Sequence, residues 1–453
     1  MLFRSKKAFL QVRIRECDRD ALRFHWMPGE HSEIKTWRFT RALFGLAPSP
    51  FLLGGVIEYH LDTWEECKPH VVAVLRKSLY EDDLISGDVT VEKAVELKEQ
   101  AIEMFEDATF TLHKWQSNMP ELEENSVSPV DKEDTFAKQQ LGEPQAGGSS
   151  LLGLGWNKER DEIVISFPDW EADPTKRGIL RKLASIYDPL DFVSPMTLVG
   201  KCLYRTVCCE KLAWDTQLAG SLKLKWQRWE QSLSKQIAVK RAFADHREPI
   251  QNIQLHGFGD ASGYGVGAAV YAVVKQESGI TQRLVAAKAR LAKQGLTIPR
   301  RELISAHMVT NLLVNVKSAV EGLPIPELNG WLDSTVALFW INGGGQYKQF
   351  VENRVQKIRA QPEITWRHVP TQENPADLAS RGGNVEFREI WRYGPKWMGD
   401  RECWPPEQVI QPSTASAAEA KATKEVFQVA VDATERLYGV LEKFELHKAM
   451  NRA

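Results

Sequence analysis

The sequence predicts an α/β fold with a mixed central sheet flanked by helices, and three observations carry that expectation. Between Ile253 and Ala289, three runs of strand length (Ile253–Asp260, Gly265–Val274 and Gln282–Ala289) follow one another across short polar breaks, as a meander does. Arg300–Val320 then places Leu303, Ala306, Val309, Leu312, Leu313 and Val316 on one helical stripe, the pattern of a helix with a buried face. Two short strands, Leu328–Asp333 and Ile364–Val369, are interleaved with helical segments at Thr335–Ile341, Phe350–Ala360 and Asn374–Arg381. The last of these is capped by Asn374, with Pro375 at its first position. The expected order is β-β-β-α-β-α-α-β-α.

Upstream, Ala8–Ile14 and Leu22–Trp26 read as strands joined by the polar turn Glu16–Asp20, followed by Thr36–Phe39 and the turn-rich FGLAPSP. Gly54–Leu61 reads as a helix and Val71–Tyr80 as helix or strand. Tyr80-Glu-Asp-Asp83 lies between apolar runs, where a tight hairpin would present Asp82 and Asp83 at its tip. Val91–Phe110 has the spacing of an amphipathic helix. From Ser117 to Ser150 the chain turns to Glu, Ser, Pro, Gln and Gly, a composition that cannot bury enough apolar surface to order itself, so a linker is expected there. Leu151–Trp156 and Glu162–Phe167 suggest a strand pair, Thr175–Ile186 a basic helix stopped before Pro189, and Met196–Trp229 a helical stretch. Its Trp214, Trp226 and Trp229 are read as packing residues rather than a base-stacking platform.

At 453 residues and 43% hydrophobic content the chain is long enough for roughly three domains of ~150 residues with substantial cores. With 58 Lys and Arg against 60 Asp and Glu, no global charge announces a polyanion binder. Basic residues bunch locally at Arg283–Arg290, Arg300–Arg301 and Arg354–Arg359, so any such contact is regional, and solvated helix faces explain each cluster equally well. The six cysteines show no CxxC pairing or secreted-type framework, the N-terminus lacks a signal-peptide core, and no apolar run approaches membrane-spanning length. The expectation is a soluble intracellular protein, cytoplasmic or nuclear, making no membrane contact.

Four acids stand out: Asp260 and Asp333 at the ends of expected strands, Glu302 in the first turn of the long helix, and Asp377 in the first turn of the last helix. Singly, each fits a turn residue or a helix-dipole partner. Together, on elements packed over one sheet, they suit a carboxylate cluster holding two Mg²⁺ or Mn²⁺ ions, the machinery of phosphodiester hydrolysis. The glycines of DASGYGVG lack the Lys and helix of a phosphate loop, and are read as a tight strand-to-strand crossing.

GFGDASGYGVGAAVY, LVAAKARLAKQGLTIPRRELISA, GWLDSTVALFWI, FVENRVQKI and WRHVPTQENPADLASRG, in that order, resemble the ribonuclease H domain of reverse transcriptases from BEL/Pao long-terminal-repeat retroelements. KKAFLQVRIRECDRDALRFHW, WRFTRALFGLAPSPFLLGG and YEDDLISG resemble polymerase palm motifs. GWNKERDEIVISF and TKRGILRKLASIYDPLDFVSPMTLVGK resemble the connecting region, which in this family carries a Pao peptidase label. The resemblance implies a truncated palm at 1–116, a disordered linker at 117–150, a thumb or connection region at 151–248, a ribonuclease H-like domain at 249–385, and a Trp-rich segment with a helical tail at 386–453. It further implies cleavage of the RNA strand of RNA/DNA hybrids. Asp260, Glu302, Asp333 and Asp377 would be metal ligands, one ion activating water and the other stabilising the leaving 3′ oxygen, and His368 would serve product release or proton transfer.

The palm departs from its family. Arg4 stands where the first motif carries a metal-binding Asp, Glu81 replaces the usual apolar residue beside Asp82 and Asp83, and no fingers segment precedes the motif. A cation cannot ligate Mg²⁺, so DNA synthesis is expected to be lost, leaving Asp82 and Asp83 vestigial. Peptidase activity is not expected, because Asp260-Ala-Ser does not match the Asp-Thr/Ser-Gly turn. No His/His/Cys/Cys zinc spacing follows Trp404, so no integrase is expected. The alternative is a catalytically silent or domesticated relic that binds nucleic acid through the basic clusters.

Overall fold

The computed structural model describes residues 2–5, 7–27, 29, 32–81, 83–88, 90–123 and 149–421. Four N-terminal strands, β1 (Leu2–Ser5), β4 (Leu79–Tyr80), β5 (Asp83–Ile85) and β6 (Leu112–Gln116), form a sheet of order β4-β5-β1-β6. The expected strand at Ala8–Ile14 is not formed. Lys7 takes a left-handed φ of 53° and turns the chain into a short helix, α1 (Ala8–Gln11), which buries Ala8 and Phe9. The strand expected at Leu22–Trp26 is β2 (Arg23–Trp26), paired instead with β3 (Lys35–Arg38). Helices α2 (Ser49–Trp64), α3 (Pro69–Ser78) and α4 (Val91–Asp107) cover this sheet. Thr90 caps α4 by accepting from the Lys93 amide, and Ala94, Leu97, Ala101, Met104 and Phe105 turn inward at helical spacing. Tyr80 pairs with Asp83 across a two-residue turn, so Asp83 lies buried in a strand rather than at the hairpin tip. Asp82 lies outside the described residues.

Of the expected linker, Ser117–Glu123 is ordered, with Leu122 buried, and residues 124–148 lie outside the described residues. The strand expected at Leu151–Trp156 is a hairpin of two, β7 (Ser149–Leu151) and β8 (Leu154–Asn157), turning through Leu152 and Gly153 at φ 49° and 84°. With β9 (Glu162–Ser166) and β10 (Gln236–Lys240) they make a second sheet, β10-β9-β8-β7. The helical stretch expected at Met196–Trp229 breaks after Cys209, giving α6 (Ser194–Cys209) and α7 (Gly220–Gln231) beyond α5 (Lys176–Ala184). Trp226 and Trp229 are packed as expected. Trp214 is not: it is 46% exposed, with the Lys176 ammonium and the Arg177 guanidinium over its ring at 4.6 and 5.7 Å.

The third sheet matches the expected order of elements. β11 (Asn252–Ala261), β12 (Gly265–Lys275) and β13 (Ile280–Leu291) form the antiparallel meander. After helix α8 (Ile298–Ala319), β14 (Glu327–Leu332) adds parallel to β11, α9 (Thr335–Asn342) and α10 (Gln349–Arg359) follow, and β15 (Ile364–His368) adds parallel to β14. The order is β13-β12-β11-β14-β15, with α11 (Ala376–Arg381) closing the unit. Only the last residue of β12 is exposed, because a strand of small and β-branched residues without alternation needs cover on both faces. On one face α8 packs Val309, Leu313 and Val316 against Ile253, Leu255, Val270 and Val274.

The other face carries an aromatic slab of Phe258, Tyr271 and Trp331. It is covered by Phe192 and Met196 of the preceding segment and by Trp391 and Met398 of the Trp-rich segment that follows. Trp391 Nε1 donates to the Phe192 carbonyl at 2.8 Å, and the Tyr271 hydroxyl donates to the Trp391 carbonyl at 2.9 Å. Farther on, α12 (Glu389–Tyr393) and α13 (Thr414–Ala417) lead into a strap in which Glu419 pairs with Arg300 through two bonds of 2.7 and 3.0 Å. Of the tail expected to be helical, residues 422–453 lie outside the described residues.

Candidate metal centre

β11 and β14 are neighbouring parallel strands, so their C-terminal ends, and the acids there, emerge side by side. Asp260 sits in the penultimate position of β11, 2% exposed, and Asp333 directly follows β14. Glu302 enters from α8. It lies one turn later than expected, since the helix starts at Ile298, and it carries its carboxylate over the end of β11, where Oε1 accepts from the Ala261 amide at 3.2 Å. Glycine makes that approach possible, since a Cβ on Gly259 would meet Ser305 Oγ and Leu332 Cδ2 at 2.9 Å.

One oxygen from each of Asp260, Glu302 and Asp333 lies within 4.8 Å of the others. Asp377 is outside that set: it sits on α11, and its Oδ1 accepts from Arg381 Nε at 2.5 Å. His368 ends β15 opposite Leu332, half-buried, where its charge when protonated draws the Asp333 carboxyl down.

Three acids so close together, two of them buried, repel one another. Burial, then the charges of Asp260 and Asp333, push the Glu302 carboxyl up to about 9. Burial raises Asp260 to about 6 against the opposing bond from Ser380, and it raises Asp333 against a bond from Thr371. Glu302 Oε2 is buried without a hydrogen-bond partner, which is costly for a carboxylate and natural for an atom that faces a cation. An all-oxygen donor set of this kind suits Mg²⁺ or Mn²⁺.

Ser380, Ser262 and Asn374, the last expected from the sequence only as a helix cap, hold this arrangement. Ser380 Oγ donates to Asp260 Oδ2. Asn374 is 3% exposed; its Nδ2 donates to the Gly259 carbonyl at 3.0 Å, and its Oδ1 accepts from the Ala376 amide. The helix expected at Asn374–Arg381 thus begins at Ala376 with Pro375, not Asn374, at its N-cap, and Asn374 instead accepts from the Ala376 amide one position farther out. Ser262 Oγ donates to the Ser380 carbonyl. Of the glycines of DASGYGVG, Gly263 lies in the turn that joins β11 to β12, whereas Gly265 and Gly267 serve the packing of α11. A Cβ on Gly267 would lie 2.6 Å from Ala379 Cβ and 2.9 Å from the Ala376 carbonyl oxygen, so α11 rests directly on β12.

Residues 175–334 match the family model of the Pao retrotransposon-like RNaseH-like domain. That span is therefore similar to a Pao retrotransposon-like RNaseH-like domain, consistent with the α/β fold described above. The matched span holds Asp260, Glu302 and Asp333, ends before His368 and Asp377, and reaches back across α5 to α7, within the 151–248 span expected from the sequence to be a separate connection. Comparison with curated proteins finds no match.

The basic clusters are largely engaged within the fold. Arg283 pairs with Asp245, Arg300 with Glu419, and Arg359 donates to the carbonyls of Trp340, Ile341 and Gly343 at the end of α9. Arg290 remains exposed. Among the described residues no helix is long and apolar enough to cross a membrane, and all six cysteines are free thiols.

Proposed function

We propose that this chain is a divalent-cation-dependent ribonuclease H that hydrolyses the RNA strand of RNA/DNA hybrids. The observation that carries the proposal is the convergence of Asp260, Glu302 and Asp333 within 4.8 Å around a buried, unpartnered Glu302 oxygen. These three would hold Mg²⁺ or Mn²⁺, with Asp377 completing the site for a second ion. The cations supply Lewis acidity, an activated water and charge for the leaving 3′ oxygen. The protein's own contribution is positional: Ser380 and Asn374 fix Asp260 and α11, and the Ala261 amide orients Glu302. His368, which pairs with Leu332 next to Asp333, would move a proton at the rim.

In this reading residues 1–116 are a reverse transcriptase palm without synthesis, 117–150 a linker, 151–248 a connection, 249–385 the nuclease unit and 386–453 its appended segment. In the parallel assay, a primed RNA template should not be extended by the purified chain, and extension would refute the palm reading. The hydrolase reading is tested with a labelled RNA/DNA hybrid and Mg²⁺: wild type should cut it and Asp260→Asn should spare it. A wild-type chain that binds hybrid without cutting it supports the alternative of a silent nucleic-acid binder. The engagement of Asp377 by Arg381 is the feature that favours that alternative.

A further inference from the structure

We propose that Arg381 is an internal counter-cation that holds Asp377 off the carboxylate cluster, so the two cations of the site load in sequence. The inference rests on the hydrolase reading and adds a control on the second ion. Asp260, Glu302 and Asp333 already form a set for the first ion, and Glu302, only 6% exposed, keeps a buried Oε2 without a hydrogen-bond partner. Among the described residues, Asp377 is the one predicted ligand of the four paired with a cation, through Arg381 Nε at 2.5 Å on the same helix.

The Arg381 guanidinium also lies within the field of the pocket. Asp377 first, then Asp260 and Asp333, raise its pKa, and its charge in turn offsets a small part of the rise at Asp260 and Glu302. A single positive charge thus offsets several carboxylates when cations are scarce.

What moves is restricted. The backbone of α11 is pinned to the sheet by the Ser380 bond to Asp260, the Asn374 bond to the Gly259 carbonyl and the contact at Gly267, so Asp377 can reach the cluster only by a change of rotamer. Its side chain is 35% exposed and that of Arg381 57%, so the ion pair is of the weak, solvent-screened kind that a divalent cation can displace. Opening the pair frees Asp377 for the second ion.

The test is calorimetric titration of the full chain with Mn²⁺ alone near neutral pH. Wild type should bind one ion tightly and a second more weakly. Arg381→Gln should tighten the second ion by about tenfold, because it removes both the competing partner and a repelling charge, and should leave the first unchanged. Arg381→Lys should restore the wild-type pattern, and Arg381→Gln combined with Asp377→Asn should lose the gain. Unchanged second-ion affinity in Arg381→Gln, or a gain that survives Asp377→Asn, overturns the proposal while leaving the metal site intact. Tight Mn²⁺ binding that persists in Asp260→Asn, or no binding by wild type, removes the metal site itself.

Discussion

Replacing Glu302 by Gln should make the cation-free protein more stable while destroying its proposed activity. The Glu302 carboxyl is held at about 9 against an ordinary 4.5. A group whose folded pKa is raised contributes its full stability below the unfolded value and loses it as pH climbs toward the folded value. Without metal, the fold therefore weakens between about pH 4.5 and 9. At pH 7 about two and a half pH units of that window have been crossed at ~1.4 kcal/mol each, so the penalty is roughly 3 kcal/mol. Gln remains neutral at every pH, and its amide oxygen can still accept from the Ala261 amide. For a cooperative unit of this size the gain corresponds to roughly 5–10 °C in Tm. The assay is thermal unfolding in chelator at pH 7 and pH 4, repeated with Mg²⁺. Glu302→Gln should melt higher than wild type at pH 7 and equal it at pH 4, and Mg²⁺ should raise wild type alone. A variant no more stable than wild type at pH 7, or equally stabilised at pH 4, refutes the argument that the pocket stores electrostatic repulsion.

Other outcomes follow from the packing. Gly267→Ala drives a methyl into the helix backbone of α11, and should cost about 1–3 kcal/mol in urea unfolding and displace Ser380 from Asp260. Hybrid cleavage should fall with it, and an unchanged midpoint and rate would show that α11 does not rest there. Trp391→Ala removes a fully buried indole and its Nε1 bond to the Phe192 carbonyl, and should cost about 3–5 kcal/mol, read from the same titration.

The part of the fold most legible in the sequence was the part built from local signals. The β-β-β-α-β-α-α-β-α order was recoverable because β12, α8 and β14 each announce their period or burial over a few residues, and parallel neighbours put Asp260 and Asp333 at one sheet edge. What was missed depends on distant partners. β10 forms only against β9, some seventy residues earlier, and β1 is wedged between β5 and β6, so nothing near Gln236 or Leu2 marks either strand. Ala8–Ile14 alternates like a strand, yet the left-handed Lys7 sets it as a helical turn. At the site, Arg381 was overlooked because an Asp and an Arg four residues apart read as ordinary helix-surface pairing. Ser380 and Asn374 gave no signal apart from the cap, since what each does is set by β11, more than a hundred residues away.

The aromatic slab under the third sheet bears on where this chain can be cut. A fragment ending at residue 385 would keep every predicted ligand of the cluster yet strip Trp391 and Met398 from Phe258, Tyr271 and Trp331. A fragment beginning at 249 would lose Phe192 and Met196 from the same surface. Either excision leaves a sticky greasy plate in place of a finished protein, so silence from such a piece in a cleavage assay would report on its solubility rather than on its chemistry.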